Sequence, residues 1–408
     1  MPDYESVGCR FESCWARTIS GFLTPSGAAQ TATFPQPAAP DFIQSHAEQS
    51  PERHSIVKKR KTRVISVGGV KIGGGNPISV QSMLKTDPQN FQETLKQLLD
   101  VKRAGCEIIR IALPQEDTCK IIPFLKREVD IPIIGDVHFN HRIALKAVDA
   151  GIDGIRINPG TINNVKKLKD VAVACRDRRV PVRIGINVGS LEKRILKKYA
   201  RPDADAMVES ALDAVKLFED QGHPALKVSL KASDILQTVE AYRKFSRASD
   251  VPLHVGITEA GPVFSGVIKS AMGIGILLNE GIGDTIRVSL TGDPVYEVTA
   301  GYHILRGLGL RKRGVNIISC PTCGRCRVNL RETVEEFEKE VAYVDACLDV
   351  AIMGCEVNGP GEARDADLGI AFGAQNAVLF SKGAVKKTGI PRELARRILV
   401  EEIHDLTR

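Results

Sequence analysis

Five of the ten cysteines fall within residues 320–355, and their spacing is suited to a metal centre. Cys320 and Cys323 are separated by two residues in the segment SCPTCGRC, which lets two sulfurs converge on one metal. Cys326 supplies a further thiol, and Cys355 follows an apolar run in MGCEVNGPGE. Three kinds of site use such thiols: a structural zinc site, a redox dithiol and an iron–sulfur cluster.

The spacing by itself favours neither zinc nor iron–sulfur, because Cys320, Cys323, Cys326 and Cys355 could close a tetrahedral zinc site. A redox dithiol ranks lowest because it leaves Cys355 without a role. The NGPGE loop favours iron, since it shapes a tight turn after Cys355 and adds the carboxylate of Glu362. A carboxylate is a harder and more exchangeable ligand than a thiolate, so one iron could open to a substrate.

A second set of chemically capable residues follows eight β-branched runs. The interior of a parallel barrel is mostly Val, Ile and Leu, so a polar side chain at every strand end is costly unless it binds a ligand. We therefore predict one binding mouth lined by Gln81, Arg110, Asp136, His138, Arg156, Asn158, Arg183, Asn187, Lys231, Thr258, Glu259, Arg287 and Ser289. Cations that occur singly at strand ends suit a small anion better than a polyanion.

The elements that must position these residues are short strands that alternate with amphipathic helical segments. The predicted strands lie within residues 78–83, 107–114, 132–139, 154–160, 181–190, 225–233, 252–261 and 284–290. Eight β/α units predict a TIM (β/α)8 barrel. A doubly wound sheet is the rival, but its glycine-rich phosphate turn after the first strand is missing. The segment GGVKIGGGNP predicts a hairpin before the first strand.

The chain divides by pattern into three parts. Residues 1–61 are predicted to be a disordered extension and basic linker, residues 62–311 the barrel, and residues 312–408 a smaller α/β domain. Cys9 and Cys14 lie in the extension with no further ligands. The smaller domain is predicted to contain strands VNIISC and DVAIMGC, helix RETVEEFEKEVAYVDA, a hairpin of LGIAFGA and NAVLFSKG, and a last helix beginning at Pro391.

Composition restricts the class of protein. Hydrophobic residues make up 43% and charged residues 26%, which is ordinary for a globular protein, and charges interrupt every apolar run, so we expect no membrane span. The net charge is +7, but the basic run at 58–63 has no interleaved aromatic residues, so we interpret it as a solvated linker and expect no nucleic acid. No signal-peptide core follows the N-terminus, so we expect a cytoplasmic protein with reduced thiols.

Six segments together resemble one enzyme family. They are CPTCGR, MGCEVNGPGEA, LHVGITEAG, VSLKASD, GIRINPG and RIGINVGSLE. Their order and spacing across residues 62–400 resemble the bacterial 4-hydroxy-3-methylbut-2-enyl diphosphate synthases of the non-mevalonate isoprenoid pathway. The resemblance implies a TIM barrel followed by a [4Fe-4S] domain. It also implies the two-electron reductive dehydroxylation and ring opening of 2-C-methyl-D-erythritol 2,4-cyclodiphosphate to (E)-4-hydroxy-3-methylbut-2-enyl diphosphate.

The resemblance also implies roles for individual residues. The cluster ligands fall on Cys320, Cys323, Cys355 and Glu362, with Glu362 on the iron that the substrate reaches; Cys326 departs from the family pattern, and we interpret it as a bystander. The residues that bind the cyclic diphosphate are Arg110, Asp136, Arg156, Asn158, Arg183, Asn187, Lys231, Arg287 and Ser289. Glu259, helped by Thr258, is the candidate proton donor to the leaving oxygen.

The family further implies a homodimer, in which one subunit's cluster domain covers its partner's barrel, and a ferredoxin or flavodoxin as electron donor. One alternative function stays open at this point. It is a barrel lyase acting on another phosphate, with a structural zinc domain in place of the cluster.

Overall fold

The computed structural model describes residues 57–355 and 363–407. Eight parallel strands form its first large sheet. After a hairpin of β1 (Ile65–Val67) and β2 (Val70–Ile72), these strands are β3 Ser79–Met83, β4 Ile108–Ala112, β5 Ile133–Asp136, β6 Gly154–Ile157, β7 Val182–Asn187, β8 Leu226–Lys231, β9 His254–Val255 and β10 Thr285–Ile286. They pair in the order β8-β7-β6-β5-β4-β3-β10-β9. A bridge between Val228 and Leu253 joins β8 to β9 and closes the circle, which confirms the predicted TIM barrel.

Helices follow the barrel strands and cover the outside of the barrel. They are α1 Phe91–Arg103, α2 Ile121–Glu128, α3 His141–Asp149, α4 Pro159–Ile162, α5 Val165–Asp177, α6 Lys193–Lys198, α7 Ala204–Glu219, α8 Ile235–Ala248, α9 Val263–Asn279 and α10 Pro294–Gly307. Most begin at an Asn or Asp whose side chain accepts from a first-turn N–H, as Asp203 does from Ala206 at 2.9 Å. None of the helices in the described part is long and apolar enough to cross a membrane.

The predicted hairpin is confirmed and seals the base of the barrel. Gly68 and Gly69 form its turn with φ of 52° and 94°, values that a side chain disfavours. Buried residues of the hairpin pack as one apolar cluster with interior residues of β4 and β5, namely Ile65, Val67, Ile72, Ile108 and Ile134. The N-terminal end of the barrel is therefore closed by apolar side chains.

The basic run is not a solvated linker, which corrects the interpretation made from composition. Arg60 donates to the backbone carbonyls of Ser246, Ser249 and Val251, the last at 2.6 Å. Arg63 forms ion pairs with Glu219 at 2.6 Å and Asp250 at 2.5 Å. Arg60 and Arg63 are thus held against the base of the barrel, because the ends of α7 and α8 and the loop after α8 offer carbonyl and carboxylate acceptors there. Lys58 and Lys61 of the same run are exposed.

The second sheet has five strands, β11 Val315–Ser319, β12 Leu348–Met353, β13 Leu368–Phe372, β14 Asn376–Ser381 and β15 Ala384–Pro391. The first three are parallel and the last two antiparallel. Two amphipathic helices, α11 Leu330–Val341 and α12 Arg392–Thr407, pack their apolar faces on this sheet. The predicted hairpin of β13 and β14 is confirmed. Strand β15 was not predicted, because its exposed AVKKTGI pattern carries few buried residues.

The smaller α/β domain, predicted to span residues 312–408, is attached at the N-terminal end of the barrel strands. Arg311 donates to the Ile78 carbonyl at 2.6 Å and pairs with Glu107 at 2.7 Å, both at the base of the barrel. Arg306, near the end of α10, reaches Asp349 of β12 at 3.0 Å. The barrel mouth, where strands end, therefore faces away from this attachment. The boundary between residues 311 and 312 stays a prediction.

Candidate active site

The strand register determines which interior side chains share a level. Following the pairs around the closed barrel gives layers of four residues, each taken from alternate strands. We number the layers from the mouth to the base. The first contains Ala112, Asn158, Lys231 and Ser289, and the second contains Met83, Asp136, Gly185 and Gly256. The third contains Arg110, Arg156, Ser229 and Arg287, the fourth contains Gln81, Ile134, Arg183 and His254, and the fifth contains Ile108, Gly154, Lys227 and Thr285. The residues predicted to bind substrate thus share one interior face.

Asp136 is the carboxylate at the centre of this arrangement. Its Oδ1 lies 3.1 Å from Arg156 Nη1 and its Oδ2 lies 3.6 Å from Arg110 Nε. His138 Nε2 lies 3.6 Å from the same carboxylate. Burial favours the protonated acid, but Arg110, His138 and Arg156 outweigh it and hold the pKa of Asp136 well below its usual range. Asp136 therefore stays ionised and orients the two arginines.

The cations outnumber the carboxylates around them. Arg110, Arg156 and Arg183 are 8%, 5% and 2% exposed, and Lys231 is 8% exposed. Burial, with Arg287 and Arg156 adding to it, lowers the pKa of Arg110 to about 9 although Asp136 opposes the shift. Burial and neighbouring arginines lower the pKa of Lys231 in the same direction. In both groups burial is the larger cause of the lowered pKa, and the neighbouring arginines add to it.

Two glycines make room for these long side chains. A Cβ on Gly185 would lie 2.5 Å from Arg156 Nε, and a Cβ on Gly256 would lie 2.7 Å from Lys231 Nζ. Both distances are shorter than side-chain carbons tolerate. Glycine at these two interior positions therefore leaves room for the Arg156 and Lys231 side chains to lie over the neighbouring strand.

Arg287 is positioned by Glu297, a residue that the strand pattern did not reveal. Glu297 lies on α10, is 0% exposed, and places Oε2 3.3 Å from Arg287 Nε. The same carboxylate accepts from Ser82 at 2.9 Å and pairs with Lys85 at 3.0 Å. The sequence could have indicated Glu297, because it is a charged residue on the buried face of an amphipathic helix.

The predicted neutral donors have different surroundings. Asn158 caps α4 by accepting from Gly160 N at 3.0 Å and donates to Ser190 Oγ at 2.7 Å, so part of its hydrogen-bonding capacity is used. Asn187 ends β7, and Ser289 lies half-buried beyond β10. These residues line the upper interior with Lys231.

Thr258 and Glu259 lie just beyond β9, at the rim. Glu259 is exposed and has φ of 53°, a left-handed conformation that a glutamate rarely adopts. Such strain clusters at functional loops because the surrounding structure must maintain it. The backbone thus fixes where the Glu259 side chain leaves the loop.

Cys320 and Cys355 lie at the C-terminal ends of two parallel strands of the second sheet. Cys320 follows β11 and Cys355 follows β12, its parallel neighbour, and Gly354 N donates to Cys320 Sγ at 3.5 Å. Thr322 has φ of 51°, which tightens the turn between Cys320 and Cys323. An N–H of Arg325 lowers the pKa of Cys323, which favours the thiolate.

Cys326 has contacts that tie it to the protein backbone. Its Sγ donates to the Val328 carbonyl at 3.2 Å and packs against Gly354. Glu362, the fourth predicted ligand, lies outside the described residues. Within residues 57–355 and 363–407 no group of three or more His, Cys, Asp or Glu side chains is arranged to hold a metal ion.

Comparison with protein-family models then decides the family. The GcpE TIM-barrel domain matches residues 62–302, and the GcpE protein C-terminal domain matches residues 316–405. This chain belongs to the GcpE family. The two GcpE matches correspond to the barrel and to the five-stranded sheet with its helices.

Curated GcpE relatives cover most of the chain. A protein of Geobacter sulfurreducens is 52% identical over 84% of this chain and 97% of its own length. A protein of Thermodesulfovibrio yellowstonii is 51% identical over 85% of this chain and 99% of its own length. Both are named 4-hydroxy-3-methylbut-2-en-1-yl diphosphate synthase (flavodoxin).

Solved structures align less closely. The dihydropteroate synthase of Yersinia pestis aligns with a TM-score of 0.45 and 14% identity, covering 60% of this GcpE chain and 97% of its own. That of Stenotrophomonas maltophilia gives 0.47 and 16%, covering 61% and 97%. At such values the likeness assigns no function.

The structure brings predicted barrel residues into contact with one another, but within one chain it does not bring the cysteines to the barrel mouth. Arg110, Asp136 and Arg156 are in direct contact. Cys320 and Cys355 belong to the sheet that is attached at the opposite end of this GcpE barrel. Two further cations were missed, Lys85 and Lys227. Lys227 had a usable signal, since it lies four residues before Lys231 in LKVSLK and therefore points to the same face.

Proposed function

We propose that this protein is a 4-hydroxy-3-methylbut-2-enyl diphosphate synthase. Its substrate is 2-C-methyl-D-erythritol 2,4-cyclodiphosphate, and its product is (E)-4-hydroxy-3-methylbut-2-enyl diphosphate. Two electrons and two protons enter, the ring C–O bond to phosphate breaks, and one hydroxyl leaves as water. Support comes from GcpE membership and from relatives that bear the name of this synthase over nearly their whole length.

The observation that carries the proposal is the buried excess of cations. Five cations, Arg110, Arg156, Arg183, Lys231 and Arg287, line the barrel above its apolar base, and Asp136 and Glu297 are the carboxylates in ion pairs with members of this set. Burying unbalanced charge is costly unless a counter-charge arrives. A cyclic diphosphate provides it, and guanidinium forks bind its phosphoryl oxygens in pairs.

The remaining mouth residues hold the rest of the substrate. Asn187 and Ser289, with the unused capacity of Asn158, offer neutral hydrogen bonds beside the phosphates. Thr258 and Glu259 lie at the rim, where the carbon skeleton extends from the phosphates. Glu259 delivers a proton to the departing oxygen, because hydroxide is a poor leaving group until it is protonated.

The proposed cofactor is a [4Fe-4S] cluster held by Cys320, Cys323, Cys355 and Glu362. Free thiols at neighbouring strand ends fit such a cluster in ligand type, and the turn at Thr322 supports it. When bound, a cluster supplies single-electron transfer and one iron with an exchangeable ligand. Cys326, engaged with Val328 and Gly354, is a bystander that supports the turn.

A homodimer is the proposed working unit. The cluster domain is attached at the base of its own barrel, whereas the substrate mouth lies at the other end. A second subunit can bring its cysteines to this mouth without unfolding that attachment. One subunit's barrel and its partner's cluster domain then form each active site.

Flavodoxin is the proposed electron donor, because the relatives' names include it; ferredoxin is the second candidate. We propose a cytoplasmic location, since the eight cysteines of the described part are free thiols. We also keep the boundaries 1–61, 62–311 and 312–408 as a proposal. Nucleic acid is not a proposed partner, because Arg60 and Arg63 are bound to the barrel.

The proposal is tested with protein purified without oxygen. About four iron and four sulfide per chain are expected, together with reduction of the cyclodiphosphate by reduced flavodoxin. Colourless protein with one zinc per chain and no reduction of the cyclodiphosphate would instead overturn the proposed cluster and favour the alternative of a phosphate lyase with a structural zinc domain.

A further inference from the structure

The fourth and fifth interior layers contain polar groups that the proposed reaction does not use. Gln81, Lys227, His254 and Thr285 belong to these layers, and Ser79 lies just below them on β3. Their exposed fractions are between 0% and 2%. Unlike the mouth cations, none of these five is needed to hold a diphosphate. Gln81 was predicted to line the mouth, but the register places it in the fourth layer instead.

These side chains have no protein hydrogen-bond partner in the part of the chain that the structure describes. The atoms concerned are Ser79 Oγ, Gln81 Nε2 and Oε1, Lys227 Nζ, both ring nitrogens of His254 and Thr285 Oγ1, together with Nε and Nη1 of Arg183. A buried polar atom without a partner costs about 1–3 kcal/mol. Such a concentration on one side of one barrel points to a bound species.

The register shows that these groups are close neighbours on the interior face of the barrel. Ser79, Thr285 and His254 are direct cross-strand partners on β3, β10 and β9. Lys227 is the cross-strand partner of Arg183 on β8 and β7. In a parallel sheet, partners on one face lie about 5 Å apart, so the polar atoms surround a small volume.

Different kinds of residue lie below and above this volume. Below it, the hairpin packs Ile65, Val67 and Ile72 against Ile108 and Ile134. Above it lies the third layer, which contains Arg110, Arg156 and Arg287. The volume therefore has an apolar floor and a cationic ceiling.

The charge and donor balance favours an anion. Burial, with Arg183 and Arg110 adding to it, holds the pKa of Lys227 well below its usual range, so a protonated Lys227 requires a counter-charge in the buried volume. Asp136 is already shared by Arg110 and Arg156, three layers above Lys227. Lysine, guanidinium, amide and hydroxyl groups together present mostly N–H and O–H donors. A metal cation would meet this positive field, and water would leave the charge uncompensated.

We propose that Lys227, Arg183, Gln81, Thr285 and His254 form an internal anion site that holds one small monovalent anion of the halide class. The anion neutralises Lys227 and holds Arg183 in the layer beneath the substrate. The site is structural and lies below the diphosphate site, with which it shares Arg183. Its occupation does not depend on the proposed reaction.

The first test uses cluster-loaded wild-type protein crystallised from sodium bromide. An anomalous bromide peak within about 3.5 Å of Lys227 Nζ is expected, since charge-assisted contacts to a halide are slightly longer than those to oxygen. Density for water without an anomalous signal at this position would overturn the proposal.

The second test measures Tm in chloride and in gluconate at equal ionic strength, so that general screening is the same. Each tenfold rise in chloride concentration above its Kd is expected to raise Tm by roughly 1–3 °C. Gluconate is too large to enter the site, so gluconate is not expected to raise Tm. Lys227→Met is expected to lose this chloride dependence, whereas Lys216→Met, an exposed lysine of α7, keeps it.

The wild-type measurements decide the matter if Lys227→Met fails to fold. A bromide peak combined with a Tm that is identical in chloride and gluconate would mean an adventitious ion only, and would overturn the proposal. Chloride dependence that survives in a folded Lys227→Met protein would do the same.

Discussion

Asp136 Oδ1 lies 3.1 Å from Arg156 Nη1, across two neighbouring strands in the interior of the barrel. Arg110 approaches the other oxygen of the same carboxylate at 3.6 Å. One carboxylate thus holds two arginines apart at a fixed distance before any ligand arrives, which lowers the cost of ordering them on binding. Arg183, one layer deeper, has no such carboxylate partner among the described residues. This difference separates the effects expected from replacing each arginine.

Arg183→Met is expected to raise KM and so to lower kcat/KM, because it removes a buried phosphate donor. The loss in binding free energy is expected to be about 2–5 kcal/mol. Iron content is expected to stay at the wild-type value. Arg156→Met is expected to show the same kinetic loss and a lower Tm as well, because it also leaves Asp136 with one cation fewer. The measurements are steady-state kinetics, iron analysis and thermal unfolding. Unchanged kinetics in Arg110, Arg156 and Arg183 variants alike would refute the diphosphate site.

Glu297→Gln is expected to raise KM for the cyclodiphosphate roughly tenfold to a hundredfold, as the loss of a charged buried hydrogen bond costs about 1.5–3 kcal/mol. The variant removes the countercharge of Arg287 and Lys85 but does not touch the substrate, so kcat is expected to change less than KM. The matched control is Glu240→Gln, which removes an exposed carboxylate of α8 paired with Lys244. Equal KM values for Glu297→Gln and the control would show that Glu297 is structural only.

The barrel and most of its mouth could be predicted from the sequence for a geometric reason. Parallel strands end at one edge, and side chains alternate along each strand, so Arg110, Arg156, Arg183 and Arg287 had to converge. Groups that act through space from other elements gave weaker signals. Glu297 lies on a helix, and Lys85 on a loop 212 residues before it in sequence. The carbonyl acceptors of Arg60 lie 186 or more residues away, so no local pattern indicated that contact.

Cys320→Ser, Cys323→Ser and Cys355→Ser are each expected to lower the iron content strongly, since a serine hydroxyl is a poor ligand for a thiolate-bound cluster. Cys326→Ser is the matched control, since it changes the same atom in the same turn. It is expected to keep iron and sulfide at wild-type values, because the serine hydroxyl can still donate to the Val328 carbonyl. Iron and sulfide analysis and the visible spectrum check this. Loss of iron in Cys326→Ser alone would show that Cys326 is a cluster ligand and that the proposed ligand set is wrong.

Arg60→Met is expected to lower Tm by several degrees, because three backbone carbonyls at the barrel base lose a charged donor, at a net cost of about 1–3 kcal/mol. Lys61→Met, at an exposed position of the same run, is the control and is expected to leave Tm unchanged. Deleting residues 1–55 keeps Arg60 and is expected to leave cluster content and turnover unchanged. Thermal unfolding distinguishes these cases. An Arg60→Met protein with an unchanged Tm would support the interpretation of the basic run as a solvated linker.

The homodimer makes a prediction that a single-chain active site does not share. Arg183→Met disables the barrel of its own chain, and Cys355→Ser disables the cluster domain of its own chain. In a mixed dimer, the intact barrel of the Cys355→Ser chain meets the intact cluster domain of the Arg183→Met chain, which gives one complete site. Two different affinity tags on co-expressed chains allow the mixed dimer to be isolated.

At a cyclodiphosphate concentration near the wild-type KM, the mixed dimer is expected to recover about half of the wild-type turnover per dimer, with about half its iron. Each parent homodimer is expected to be nearly inactive under these conditions, because the Arg183→Met barrel has a much higher KM and the Cys355→Ser chain lacks its cluster. The reason lies in the attachment of Arg306 and Arg311, which holds each cluster domain at the base of its own barrel and away from its own mouth. If each active site were built within one chain, every chain of the mixed dimer would carry one disabled half. Turnover of the mixed dimer equal to the mean of its two inactive parents would therefore reject the shared site, whatever the oligomeric state.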